Sequence, residues 1–292
     1  MDDGGRDAQR ADDSTNGHAN VTPEASTADH GAPALLALAL RLATEAGTLV
    51  SAGRAAGLTN VRTKGTPTDM LTEFDQASEA HIVAGLRAAR PHDGLVGEEG
   101  SSQTGTSGIT WFVDPIDGTT NYVYDLPGYA VSIAAADEHG MLVGVVHNPR
   151  LGETFTAMRG LGAWLDGAPI RPSTLTDLST ALVATGFGNE RERRRKQGSV
   201  AANLLPRIRD IRRLGAASVD LCHAACGRVD AYYEEGLGPW DLAAGGLVAA
   251  EAGCVCTDFY GGPITHRQMV VATPGIADAL REALLSSGAP IL

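Results

Sequence analysis

Cysteine is scarce in this chain of 292 residues, and basic charge is in deficit. The four cysteines, Cys222, Cys226, Cys254 and Cys256, all fall in the last quarter. They are too few to frame a disulfide scaffold at this length, which points to a reducing, cytoplasmic setting. Lys and Arg number 23 against 35 Asp and Glu, a net charge of −12. The averaged field therefore repels nucleic-acid backbones and anionic lipid, and a phosphorylated ligand needs a locally positive pocket or bridging cations. Long apolar runs are missing as well: Leu35 to Leu40 is short, interrupted soon after by Arg41 and Glu45, and preceded by acidic residues. That pattern predicts neither a signal peptide nor a membrane span. Residues 1–33 lack Leu, Ile, Phe, Trp and Tyr altogether and carry seven acids against Arg6 and Arg10. Burial cannot offset the entropy of ordering such a segment, so a disordered acidic tail is expected there.

What remains can build a core, since 43% of positions are hydrophobic and 20% charged. From Pro33, apolar residues Leu35, Leu38, Leu42, Ala46 and Leu49 fall at helical spacing behind a proline suited to a first turn. Val61 to Pro67 reads as a turn or hairpin, and Asp75 to Ala89 as a second helix. Gly94 to Gly97 and Trp111 to Val113 look like buried strand ends, both finishing in carboxylates. Val131 to Ala136, Leu142 to Val146 and Glu153 to Ala157 continue as a meander. Beyond Thr176 come a strand at Ala181 to Ala184, a helix from Arg191 stopped by Pro206, and a strand at Ile208 to Leu214. Val219, Cys222, Cys226 and Val229 share one helical face; a helix from Trp240 to Ala252 and a strand from Cys254 to Thr257 follow. This alternation predicts layered α and β elements in two subdomains, 34–175 and 176–292.

The densest chemistry is Asp114-Pro115-Ile116-Asp117-Gly118-Thr119-Thr120-Asn121, directly after the apolar run Trp111 to Val113. Two carboxylates where a strand gives way to a turn can converge on one point, and hard cations such as Mg2+ take sparse carboxylates, a carbonyl and water. Gly118 lets backbone amides approach an anion, and a helix starting at Thr119 would hold a phosphate at its N-terminus. Isolated Asp-x-x-Asp is also a common helix-capping turn. Glu98-Glu99 end another short apolar segment, and crowded acids need a counter-cation. Asp241 stands at an expected helix start, where an acid is ordinarily an N-cap or first-turn residue. Asp69, Thr72 and Asp75 form a further cluster, of which Asp69 and Thr72 suit local backbone bonding.

Gly97-Glu98-Glu99, the Asp114 to Thr119 run and Trp240-Asp241-Leu242-Ala243-Ala244-Gly245 together resemble the three signature segments of the inositol monophosphatase family of Mg2+-dependent, lithium-sensitive phosphatases. The resemblance spans roughly residues 35–285, including Leu214 to Ser218 and Gly227 to Glu234, and is nearest to the bacterial inositol-1-monophosphatases. It implies a five-layer α-β-α-β-α sandwich with the metal and phosphate site in 34–175, while 176–292 adds substrate contacts and Asp241. It implies that Glu98, Asp114 and the Ile116 carbonyl hold one Mg2+ and that Asp114, Asp117 and Asp241 hold a second, with Lys64 on a mobile loop near a third. Thr119, hydrogen-bonded to Asp75, would orient the attacking water with help from Glu98. The amides of Gly118 and Thr119 would take phosphate oxygens, and Gly215, Ala216, Ala217 and Glu234 would surround the alcohol. The substrate implied is inositol 1-phosphate or a similar polyol phosphate, and the assembly a homodimer.

Rival readings stay within view. Fructose 1,6-bisphosphate, histidinol phosphate and 3′-phosphoadenosine 5′-phosphate phosphatases share such a metal core, and Glu234 favours a polyol over a nucleotide. The run Arg191, Arg193, Arg194, Arg195, Lys196 invites an interaction role, but Glu190 and Glu192 intersperse it and a helix spreads it round a solvated face. Structural zinc on the cysteines is disfavoured, because no Cys-x-x-Cys knuckle exists.

Overall fold

The structure, a computed structural model, describes Met1 and residues 31–290; the expected tail at 1–33 lies almost wholly outside the described residues. Helix α1 (Ala32–Ala56) has Pro33 in its first turn, where the missing N–H is no loss, and buries Leu35, Ala39, Leu42, Ala46 and Val50 along one stripe. By length and composition α1 is apolar enough to cross a membrane. Its stripe is instead occupied by Ile82, Val83 and Leu86 of α2 (Glu73–Ala89) and by the adjoining sheet. Between the two helices β1 (Arg62–Thr63) pairs antiparallel with β2 (Met70–Leu71), the hairpin expected from its Gly, Thr and Pro content.

Strands β3 (Gly94–Gly97), β4 (Ser102–Gln103), β5 (Thr110–Asp117), β6 (Ala130–Asp137), β7 (Gly140–Asn148), β8 (Glu153–Met158), β9 (Gly162–Leu165) and β10 (Ala168–Pro169) form one sheet. Its order is β10-β9-β8-β7-β6-β5-β3-β4, an antiparallel meander from β5 onward with β3 parallel to β5. The short helix α3 (Thr119–Val123) links β5 to β6. A second sheet, ordered β12-β11-β13-β15-β14, comprises β11 (Leu182–Thr185), β12 (Asp210–Arg212), β13 (Ala231–Glu235), β14 (Val255–Thr257) and β15 (Gln268–Ala272). Helices α4 (Arg191–Leu204), α5 (Ala217–Ala225), α6 (Pro239–Ala252) and α7 (Ala277–Ser286) accompany it.

Side-chain alternation along the strands sorts the core into layers. One face of the first sheet, with Trp111, Val113, Val131, Ile133, Val143 and Val145, packs on α1 and α2. The other face, through Ala130, Ala134, Val146 and Phe155, meets α5 and α6, which also touch Tyr232, Met269 and Val271 of the second sheet. That sheet's far face, with Val183, Tyr233, Val270 and Ala272, is covered by Val200 and Leu204 of α4 and Leu280 and Leu284 of α7. The layers run α-β-α-β-α, as the family resemblance implies.

Several local expectations need correction. The strand at Ile208 to Leu214 shrinks to Asp210–Arg212, because Arg213 to Gly215 turn into the cleft described below. The helical face drawn through Val219 and Val229 ends early: α5 stops at Ala225, and Gly227 turns with φ +74°. Cys222 is buried on that helix, whereas Cys226 is its half-buried C-cap. The strand with carboxylates at its end does not stop at Val113 but runs through Asp117.

Candidate active site

A bulge in β5 creates the acidic centre. Asp114 pairs with Ser132 and Asp117 with Ala130, so three steps on β5 oppose two on β6. Residues three apart on a regular strand face opposite sides; the extra residue returns both to one side. Pro115 occupies the bulge, where no ladder N–H is needed. Asp114 Oδ1 accepts the Ile116 N–H at 3.1 Å, which fixes the bend. Carboxylate oxygens of Asp114, Asp117 and Asp241 then lie within 4.8 Å of one another.

Each acid is held by a separate element. Helix α5 begins after Ala216, which cannot cap it, and Asp117 supplies the cap from 100 residues away: the N–H groups of Ala217 and Ser218 donate to its carboxylate at 3.2 and 2.7 Å, and the Ser218 hydroxyl joins them. Asp241 is the third residue of α6 and accepts the Gly238 N–H at 2.7 Å. The ordinary capping reading of Asp241 therefore holds alongside its place in the cluster. Glu98 follows β3, its N–H donating to the Val113 carbonyl at 3.1 Å. Its carboxylate belongs to a second group: Lys64 Nζ, from the hairpin, lies 2.9 Å from Glu98 Oε1 and 2.7 Å from Glu99 Oε1.

Charge follows from this crowding. Burial, then the charges of Glu98, Asp117 and Asp241, push the Asp114 carboxyl far above the usual range, and Asp241 moves the same way. Asp117 rises to about 6, burial prevailing over the hydrogen bonds from Ser218 and Ala217. Burial lifts Glu99 to about 7 against the pull of Lys64. Lys64 is raised: burial works against its charge, but the two glutamates beside it prevail.

Beside the bulge the Thr119 hydroxyl lies 3.0 Å from Asp75 Oδ1 and 3.1 Å from the Ile116 carbonyl. Asp75 Oδ2 is already taken by the Thr72 N–H and hydroxyl at 2.7 and 2.6 Å, the capping box that opens α2. Gly118 makes the turn into α3 with φ +87°, and a Cβ there would sit 2.8 Å from the Gly128 carbonyl and 3.0 Å from the Ala216 methyl.

These groups wall a cleft of about 610 Å³. Of the residues singled out from sequence, Glu98, Asp117, Gly118, Thr119, Gly215, Ala216, Ala217, Glu234 and Asp241 line it, while Asp75, Asp114 and Ile116 are buried outside its lining. Glu234 is 8% exposed, hydrogen-bonded to the Tyr232 hydroxyl and packed against Gly186, and burial raises its carboxyl to about 7. The Ala217 amide is engaged by Asp117.

Other contributors were not singled out. Ser218 holds Asp117, and Glu79 receives the Glu99 and Ser101 N–H groups at 2.8 and 3.0 Å and so shapes the loop carrying Glu98. Asp220 and Arg213 also line the cleft, as does Arg194, which the sequence marked only as part of a basic run. Only Ser218 had a local signal, a serine in the first turn of a helix.

Residues 33–288 match the profile of the Inositol monophosphatase family. An inositol-1-monophosphatase of Mycobacterium leprae is 42% identical over 286 residues, which cover 90% of this chain and 98% of that protein. The chain belongs to the inositol monophosphatase family. A Nus factor SuhB of Pasteurella multocida is 38% identical over 246 residues, covering 83% of this chain and 92% of its own. Among solved structures a Thermotoga maritima IMPase superposes with a TM-score of 0.81 at 30% identity, covering 87% of this chain and 98% of the other. Family membership supports a phosphatase with metal-dependent catalysis. The donors present fit such a metal: they are all oxygens, they converge within 4.8 Å, and their mutual repulsion lacks a cation in contact with Asp114, Asp117 or Asp241 among the described residues.

Proposed function

We propose that this chain is a Mg2+-dependent phosphomonoesterase that hydrolyses inositol 1-phosphate to inositol and phosphate by direct attack of water. The observation that carries the reading is the convergence of Asp114, Asp117 and Asp241 beside the Thr119–Asp75 pair, with Asp117, Asp241 and Thr119 opening onto one cleft. Glu98, Asp114 and the Ile116 carbonyl would hold one Mg2+, and Asp114, Asp117 and Asp241 another; a third beside Lys64 completes the set of two or three ions. Bound there, the metal supplies Lewis acidity and neutralises phosphate charge.

The protein's own groups do the positioning. With its proton directed to Asp75 Oδ1, the Thr119 oxygen offers a lone pair to a water, leaves the Ile116 carbonyl free and aims the water at phosphorus. Burial raises the Asp75 carboxyl above its ordinary value, so it can take the proton that water releases through Thr119. The Gly118 and Thr119 amides would receive phosphate oxygens at the start of α3. Gly215, Ala216 and Glu234 face the same space, and Glu234 can accept hydroxyl hydrogen bonds from a polyol. Ala217 contributes shape rather than a donor, since its amide serves Asp117.

The reading carries with it a homodimer, lithium sensitivity and an intracellular location; four free thiols support the last. Asp114→Asn removes the shared negative charge and should reduce Mg2+-dependent phosphate release by at least about a thousandfold, with the circular dichroism spectrum unchanged. Undiminished release would discard the site. Fructose 1,6-bisphosphate, histidinol phosphate and 3′-phosphoadenosine 5′-phosphate in the same assay test the alternative substrates. The alternative outside catalysis is an interaction role for the Arg191 to Lys196 helix, and one relative bears the name Nus factor. A pull-down that depends on residues 191–196, with no phosphate released from any ester, would favour it.

A further inference from the structure

Helix α5 is packed in almost all round, and one of its residues does not suit that setting. Val219, Leu221, Cys222, Ala224 and Ala225 are buried and apolar, whereas Asp220, 1% exposed, brings a carboxyl into the same helix. It stands one turn on from Ala216 and Ala217, shares their face of α5 and lines the cleft with them. A first-turn acid is ordinarily stabilised by the helix dipole and by the free N–H groups beside it. Here those groups are spent. The Ala217 and Ser218 amides donate to Asp117, and the Asp220 N–H donates to the Ala216 carbonyl at 3.0 Å.

The neighbouring side-chain donors are engaged as well. Tyr232 and Glu234, two apart on β13, point to the side of the second sheet that meets α5, and the single proton of the Tyr232 hydroxyl goes to Glu234 Oε2. The Asn121 amide serves the Gly128 and Leu214 carbonyls, and the Ser218 hydroxyl serves Asp117. Burial, then the charges of Glu234 and Asp117, push the Asp220 carboxyl well above its ordinary range against the pull of Arg213 and the Gly215 amide. Its Oδ1 is left buried with no hydrogen-bond partner. An unpaired buried oxygen costs more than a made bond returns, so one held on a cleft wall points to a partner that arrives with the ligand. A hydroxyl both donates and accepts, so it satisfies this carboxyl whether charged or protonated, while a phosphate oxygen would be repelled by the acids around it. Glu234, 8% exposed on the same cleft, offers a second carboxyl from β13.

We propose that Asp220 is a specificity-determining residue of this cleft: with Glu234 it forms a pair of carboxyls that hold hydroxyls of the alcohol, Asp220 Oδ1 taking one of them. The proposal rests on the phosphatase reading above and names the residue by which the same cleft selects hydroxyl-rich esters.

The test measures Mg2+-dependent phosphate release by the full chain and its Asp220→Asn and Asp220→Ala variants. The esters are inositol 1-phosphate and cyclohexyl phosphate, which keeps the ring and the ester and has no free hydroxyl. The KM for inositol 1-phosphate relative to that for cyclohexyl phosphate should rise about tenfold in Asp220→Ala, and by about threefold in Asp220→Asn, which keeps the shape and a polar group. The kcat for the inositol ester should stay within about threefold of the parent, because the contact is common to the bound ester and the transition state. Inositol 1-phosphate analogues lacking one ring hydroxyl at a time locate the contact: at least one whose KM rises in the parent should show no further rise in Asp220→Ala. Equal changes for both esters, or none, would mean that Asp220 serves only the fold of α5; they overturn the assignment and leave the phosphatase reading standing. Release of phosphate from neither ester by the parent overturns both.

Discussion

Thr119 has one proton and two acceptors in reach, Asp75 at 3.0 Å and the Ile116 carbonyl at 3.1 Å. The Ile116 oxygen has two lone pairs and can meet both this hydroxyl and a cation, so Thr119 touches the water-orienting pair and the metal set alike. Thr119→Ala deletes the relay and leaves Asp75 Oδ1 without its partner. Phosphate release should fall by at least about a hundredfold in kcat. Thr119→Ser keeps the hydroxyl and should stay within about tenfold of the parent; equal losses in the two variants would mean that the side chain serves packing alone. The same residue marks how far the sequence alone can be read. Asp114, Asp117 and Thr119 lie in one peptide, and their convergence could be argued from spacing. Asp75, Glu98 and Asp241 come from other elements, and nothing local distinguishes them from helix caps or surface acids. Asp75 and Asp241 are in fact first-turn acids that accept the N–H of the capping residues of α2 and α6, Thr72 and Gly238, so the common reading and the site coexist in one side chain.

At the level of elements, one inserted residue matters most. Sequence periodicity places a strand before Asp114 and a turn after it, and it does not reveal that β5 continues through a bulge to Asp117, because a bulge is defined by the partner strand β6. For the same reason the cap that Asp117 places on α5 was invisible: Ala216 is a poor cap, and its replacement stands 100 residues away. The meander β6 to β8 was legible as apolar runs separated by marked turns, although β6 and β7 are buried on both faces and do not alternate. Strand β13, whose apolar run gives way to Glu234 and Glu235, and strand β15 were not delineated. Gly118 joins the bulge to α3 with a positive φ, and a methyl there would press on the Gly128 carbonyl at 2.8 Å. Gly118→Ala should therefore lower the melting temperature by several degrees and cost activity at least as heavily as Thr119→Ala. Scanning calorimetry beside the phosphate assay reads both, and a variant with parent values in each would show that the turn tolerates a side chain.

Across the whole molecule, the acidic centre sets acidity against stability. Glu99 and Glu234 stand at about 7 in the folded chain, above their ordinary 4.5, and Asp117 at about 6, above 3.8. A raised carboxyl means that the folded state keeps protons the unfolded chain has released. That stabilisation is present in acid and is lost as pH rises through the folded value. His147 and His223, both lowered by burial, act in the opposite sense, but only below their ordinary 6.5. Asp137, held near 2 by Arg159, contributes a constant amount above pH 5. Between pH 6.5 and 8 the raised carboxyls govern, so the chelated protein should lose melting temperature over that interval, on the order of 5 °C. Mg2+ binds the deprotonated centre and should raise the melting temperature more at pH 8 than at pH 6.5, which flattens or reverses the trend. Asp114→Asn removes the most crowded charge, so its metal-free form should show a shallower fall with pH and a much smaller gain from Mg2+. A chelated parent protein that melts at the same temperature at both pH values, with no response to Mg2+, would mean that these carboxylates do not repel one another in the fold and that no cation is missing from among them.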